Sequence, residues 1–252
     1  MDWLAYLLLP VFVGILLFRM RQDKREFEAF KALVSSSDRQ RMYKKWLLES
    51  FLLFGCSSIL SLLLMGQGRL LSSLYSAFST LISNNFFTLT DNSASEGGSF
   101  VSGLLIGAIF GGILLGVVLG ILLKKKKPQK PLIVGDVEAF FPRNKAEGFW
   151  AALLAINAGF SEELFFRLLL PLLFYLVFKQ AILALVLAAL LFGLAHFYQG
   201  WAGIMITTLL GAAFTVLYLA TGNIWLVMLV HALIDLNGLL LQPYLHKRFF
   251  QA

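Results

Sequence analysis

Apolar residues in this chain are grouped into long runs, with the polar residues collected between them. Runs near or above about 20 residues match the length a helix needs to cross the hydrocarbon core of a bilayer. Seven of them are legible: 3–18, 46–66, 100–123, 149–178, 181–197, 201–220 and 224–241. The pattern predicts an all-α fold, a polytopic transmembrane helix bundle of about seven spans. The expected organisation is three N-terminal spans with a cytoplasmic surface segment (1–123), a basic cytoplasmic linker (124–148), a four-span core (149–241) and a cytoplasmic tail (242–252). No basic residue precedes the first run and no small-residue cleavage site follows it, which predicts a retained anchor rather than a signal peptide.

The segments between spans are less informative. Phe27, Phe30, Leu33 and Val34 fall at helical spacing among the charges of 23–45. That spacing suits a helix lying on the cytoplasmic surface, although a solvated basic loop has the same composition. Segment 67–99, rich in Ser, Asn and Thr, reads as an extracytoplasmic loop. Gly107, Gly111, Gly112, Gly116 and Gly120 form a small-residue stripe suited to close helix contact. No internal repeat is evident.

Composition agrees with the pattern, at 59% apolar residues and a mean hydropathy of +0.80. Eighteen of the 21 Lys and Arg residues lie in 19–45, 124–145 and the C-terminal tail, which alternating spans place on one side. Only Arg69 and Lys179 fall on the other side, and Arg167 lies within a span. This asymmetry predicts an outside N-terminus and a cytoplasmic C-terminus, with a bacterial cytoplasmic membrane as the expected setting. The net charge of +7 follows from topology and from contact with anionic membrane lipid, so it is no argument for a nucleic-acid partner. The single Cys56 cannot form an internal disulfide and does not report the redox compartment.

Charge at membrane depth is the exception that points to chemistry. Glu162, Glu163 and Arg167 sit inside one apolar run, and His196, His231 and Asp235 sit inside two others. Each ionised group at the bilayer centre costs about 3 kcal/mol on insertion scales. Glu163 and Arg167, at i and i+4, share a helix face and can pair. Glu162 is turned about 100° away and lacks a local cation, which suits a general base that holds and deprotonates water. Counting from the outer turn at Lys179 and Gln180, Glu162 and His196 lie at nearly the same depth, roughly 24–26 Å. His231 lies only about 12 Å, and Asp235 about 18 Å, from the outer turn at 221–223. His231 and Asp235 again share a face and could donate to a developing oxyanion. Ser161 lacks a nucleophile-elbow context, Phe192 reads as packing, and His246 reads as a solvated tail residue.

The motifs Glu162-Glu163-x-x-x-Arg167, Phe192-x-x-x-His196 and His231-x-x-x-Asp235, each in its own span, resemble those of the CAAX prenyl protease and bacteriocin-processing (Abi) family. The likeness covers roughly 149–241, including the run-up Thr221-Gly222-Asn223-Ile224-Trp225. It implies an intramembrane endopeptidase acting on a protein or peptide, with or without an attached lipid. It also implies that Glu162 and His196 activate water, that Glu163 and Arg167 shape the site, and that His231 and Asp235 stabilise the oxyanion. Asp235 stands where several members have Asn, which makes its donor role depend on protonation. The expectation is a metal-free, cofactor-free site; the alternative is zinc held by Glu162, His196 and His231. Two other functions fit the same buried groups. One is a proton-coupled transporter; the other is a catalytically idle immunity or scaffold protein.

Overall fold

The computed structural model describes residues 3–66 and 138–245, and all of the regular structure among them is helical. The expected span 100–123 with its glycine stripe, the loop 67–99, the basic cluster at Lys124–Lys127 and His246 lie outside the described residues. Helix α1 is Trp3–Lys31 and α2 is Ser36–Leu64, the latter carrying a π-helical turn at Phe51–Cys56. A 3-10 turn at Glu138–Phe140 precedes α3, which covers 145–178 and has a second π turn at Leu164–Leu169. Helix α4 is Ala181–Ala195, and a 3-10 turn at Phe197–Gln199 leads into α5, Gly200–Thr221. Helix α6 is Ile224–Leu245, with a third π turn at Asn237–Leu241.

Among the described residues, α1, α2, α6 and the segment Phe197–Thr221 are long and apolar enough to cross a membrane. Helix α4 is also apolar but shorter. Their outer surfaces carry large apolar side chains such as Leu7, Val11, Leu60, Leu63, Leu209 and Leu229, while Arg39, Glu147, Glu163, Arg167 and His231 are buried. A soluble protein would reverse that distribution, because exposed apolar area is tolerated only against lipid or a partner.

The cytoplasmic surface segment differs from expectation. Helix α1 runs unbroken through the charged stretch to Lys31, and a short break leads directly into α2. Phe27 and Phe30 are not laid on lipid. Their rings pack against Phe140, and Phe30 also meets Tyr43 and Trp46, whereas Val34 is 88% exposed. Aromatic partners within the protein offered the apolar face more contact than a membrane surface would.

This cluster anchors the start of α3. Asn144 caps the helix by accepting from the Glu147 N–H at 3.0 Å, and the Glu147 carboxylate in turn accepts from the Arg143 N–H at 3.0 Å. Such reciprocal capping satisfies donors that a helix start leaves orphaned. Arg39 of α2 then bonds Glu147 through Nε at 3.0 Å and the Ala139 and Phe141 carbonyls through Nη2. Burial alone would raise the Glu147 carboxyl. The Arg143 N–H, the Ser36 hydroxyl and Arg39 outweigh it and hold the pKa below the ordinary 4.5.

Two glycines set how closely the remaining helices approach. A Cβ on Gly159 of α3 would lie 2.7 Å from the Ala232 nitrogen and the Met228 carbonyl of α6. A Cβ on Gly193 of α4 would lie 2.9 Å from the Ile204 carbonyl and would overlap the Thr208 hydroxyl of α5. The first crossing seats α6 on α3, and the second seats α4 on α5.

Candidate active site

Glu162 and Glu163 close the α-helical part of α3, immediately ahead of the π turn that contains Arg167. Single π turns inside α-helices often mark functional positions, because the extra residue redirects the following side chains. Here the geometry keeps Glu163 and Arg167 on one face. Arg167 Nε lies 3.0 Å from Glu163 Oε2, with side-chain exposures of 1% and 0%, as the i, i+4 spacing predicts. Neither charge reaches solvent, so each depends on the other.

Glu163 has a second partner. Its Oε1 lies 2.7 Å from His231 Nδ1, and His231 is also buried. The depth count from the outer turn placed His231 too shallow for such contact. The Gly159–Ala232 crossing lets α6 approach α3 at backbone distance, and the direct contact shows that the level is shared. On the other side of the ring, Nε2 lies 3.6 Å from Asp235 Oδ2, within ion-pair range but beyond a direct hydrogen bond. The imidazole is therefore held on one edge by Glu163 and faces a half-buried carboxylate on the other.

Among the described residues, Glu162 has no ion-pair partner of the kind that holds Glu163. Its Oε2 is buried with no hydrogen-bond partner among the described residues. It lies within electrostatic reach of His231, Asp235, Glu163 and Arg167. No hydrogen bond joins it to His196, the partner that the matching depths suggested. His196 sits at the end of α4, where its Nδ1 lies 2.8 Å from the Phe192 carbonyl. A carbonyl can only accept, so Nδ1 carries the proton and Nε2 is left as the basic nitrogen.

The ring of Phe192 connects groups that hydrogen bonds do not. Its centroid is 4.8 Å from His196 and 6.0 Å from His231, and the Arg167 guanidinium lies 4.3 Å from it. Phe214 of α5 adds a second ring, 5.0 Å from His231 and 5.3 Å from the guanidinium. Sequence reasoning gave Phe192 only a packing role and did not single out Phe214; only the placement of Phe192 four residues before His196 could have hinted at more. Ser161, by contrast, is fully buried and donates to the Asn157 carbonyl at 2.5 Å, so its hydroxyl is occupied within its own helix.

Among the described residues, no three or more His, Cys, Asp or Glu side chains are arranged to hold a metal ion. His231 Nδ1 is bonded to Glu163 and His196 Nδ1 to the Phe192 carbonyl, which leaves Nε2 as the second ring nitrogen of each histidine.

No curated protein and no solved structure matches the chain at a significant level. A family model described as Rce1-like, type II CAAX prenyl endopeptidase Rce1-like, matches residues 144–237. The matched stretch runs from the Asn144 cap of α3 to two residues past Asp235 and encloses every group of the site. Over residues 144–237 the chain is thus similar to the type II CAAX prenyl endopeptidases, as its motifs led us to expect, and with its apolar helices this points to a membrane-embedded protease.

Proposed function

We propose that the chain is an intramembrane endopeptidase that hydrolyses a peptide bond with Glu162 as general base. The observation that carries this reading is the contrast between adjacent carboxylates. Glu163 Oε1 bonds His231 and Glu163 Oε2 is ion-paired with Arg167 at 3.0 Å, whereas the buried Glu162 Oε2 has neither a hydrogen bond nor an ion-pair partner among the described residues. A carboxylate with unused acceptor capacity, close to buried donors, is suited to receive a proton from water.

In this mechanism Glu162, assisted by His196 Nε2, removes a proton as the water oxygen attacks the scissile carbonyl carbon. The carbonyl π electrons move onto oxygen, and His231, with Asp235 beside it, stabilises that oxyanion. Glu163 orients the His231 ring through Nδ1 and balances the Arg167 charge. Glu162 then returns its proton to the leaving nitrogen as the carbon–nitrogen bond breaks. The residues alone supply these steps, and none requires a metal or cofactor.

The proposed substrate is a membrane-associated protein or peptide, with or without an attached lipid, presented to an α3–α4–α6 core whose open side faces the cytoplasm. The test is Glu162→Gln, which keeps size and hydrogen bonding but cannot accept the proton. Membrane and secreted proteomes of cells carrying either form should differ by an accumulated precursor. Purified wild type should cleave that precursor at least about 100-fold faster than the variant. Equal cleavage by the two proteins would reject Glu162 as the base, and the absence of any precursor would reject the protease reading.

A further inference from the structure

We propose that Phe192, seated on Gly211, is a positioning residue: its ring fixes the relative places of His196, His231 and Arg167. This rests on the reading of those groups as one hydrolytic site. Three independent contacts converge on the ring. It packs at 60° to His196, at 85° to His231, and beneath the Arg167 guanidinium. The same residue also supplies the carbonyl that holds His196 Nδ1. One side chain therefore touches members of all three motifs.

The ring has little room to move. Phe192 is 1% exposed, and Phe166 meets it edge-on with centroids 5.1 Å apart. On its other side lies α5, a helix that carries no motif residue. A Cβ on Gly211 would come within 2.8 Å of Phe192 Cδ1, closer than side-chain carbons approach. The adjacent Gly193 fixes the backbone, because its own Cβ would meet Thr208 and Ile204 of α5. Helix α5 thus sets the height of the ring through an absent side chain, and the ring transmits that height to the three site residues. Displacement of a catalytic group by about 1 Å can lower turnover on the order of 100-fold.

The test uses Gly211→Ala, Phe192→Leu and the double variant of the full chain, purified in detergent. Histidine labelling resolves only three residues, His196, His231 and His246, so titration midpoints of the first two can be followed by NMR. Gly211→Ala should move at least one of those midpoints by about half a unit or more, although it touches neither histidine. His246 should not respond. In the Phe192→Leu background no rigid ring remains to carry the displacement to the histidines, so Gly211→Ala should there produce little further change. Cleavage of the precursor that accumulates in Glu162→Gln cells, followed in parallel, should show a fall in kcat with KM nearly unchanged.

Unchanged midpoints in Gly211→Ala, or equal effects of Gly211→Ala with and without Phe192, would overturn the proposal. Shifted midpoints in Gly211→Ala, together with a wild-type chain that cleaves nothing, would leave the positioning role standing and remove the protease reading. If Phe192→Leu does not accumulate as folded protein, Phe192→Met fills similar volume without a ring and replaces it. If that also fails, the Gly211→Ala midpoints decide alone.

Discussion

Glu163→Gln separates the two adjacent glutamates most sharply. The substitution keeps side-chain size and leaves one oxygen to accept from Arg167 or His231, but it removes the charge that both face at 3.0 and 2.7 Å. Arg167 is only 1% exposed, so no water replaces the lost anion, and its guanidinium keeps the Phe192 and Phe214 ring faces and the unpaired Glu162 carboxylate at longer range. Removing one partner of an enclosed ion pair costs about 3–5 kcal/mol. At about 2–4 °C per kcal/mol for a chain of this size, the melting point should fall by about 6–20 °C. Thermal unfolding of purified protein in detergent, read by intrinsic fluorescence, measures this directly. Glu162→Gln is the control and should melt near wild type, because the altered oxygen has no hydrogen bond to lose. Glu163→Gln combined with Arg167→Met removes the stranded charge and should recover much of the loss. A Glu163→Gln protein that melts like wild type would refute the argument that this pair is electrostatically enclosed.

The other predictions concern pH, metal and topology. Glu147 titrates below the ordinary 4.5 in the folded chain, so its contribution to stability is present above that pH and is lost as pH falls through the lower folded value. Wild type should therefore lose stability below pH 4.5 more steeply than Glu147→Gln, as acid melting curves would reveal. Activity should survive strong chelators; one zinc per chain, lost together with activity and restored with it, would defeat the metal-free mechanism. On a Cys56→Ala background, a cysteine at Arg41 should react with impermeant reagent only from the cytoplasm and one at Gln180 only from outside. The reverse labelling pattern would invert the proposed orientation.

Periodicity and charge made the chemistry of the site legible before its geometry. An apolar run tolerates Glu162, Glu163 and Arg167 only for a reason, and i, i+4 spacing identified the Glu163–Arg167 pair now seen at 3.0 Å. What sequence could not supply were distances between helices. Arg39 and Glu147 are 108 residues apart, and nothing local to either one announces the other. The depth of His231 was left open for the same reason. Counting residues from an outer turn assumes that neighbouring helices start level with one another, whereas the close approach of α6 to α3 at Gly159 puts His231 directly against Glu163. The expected Glu162–His196 contact failed likewise, because equal depth does not fix which way an end-of-helix histidine turns.

Helical rotation separates Glu162 from Glu163 by about 100°, which is enough to send the two carboxylates to different surroundings but not to say which surroundings await them. Two neighbouring acids share nearly the same depth and insertion cost, so composition cannot rank them. The close crossing at Gly159 brings His231 to Glu163 Oε1, and the π turn keeps Arg167 in ion-pair range of Oε2. Glu162 is thereby left as the acid without an ion-pair partner among the described residues. On this view the division between a structural and a reactive glutamate is set from outside the Glu-Glu pair, by a glycine on the same helix and a histidine 68 residues later in the chain.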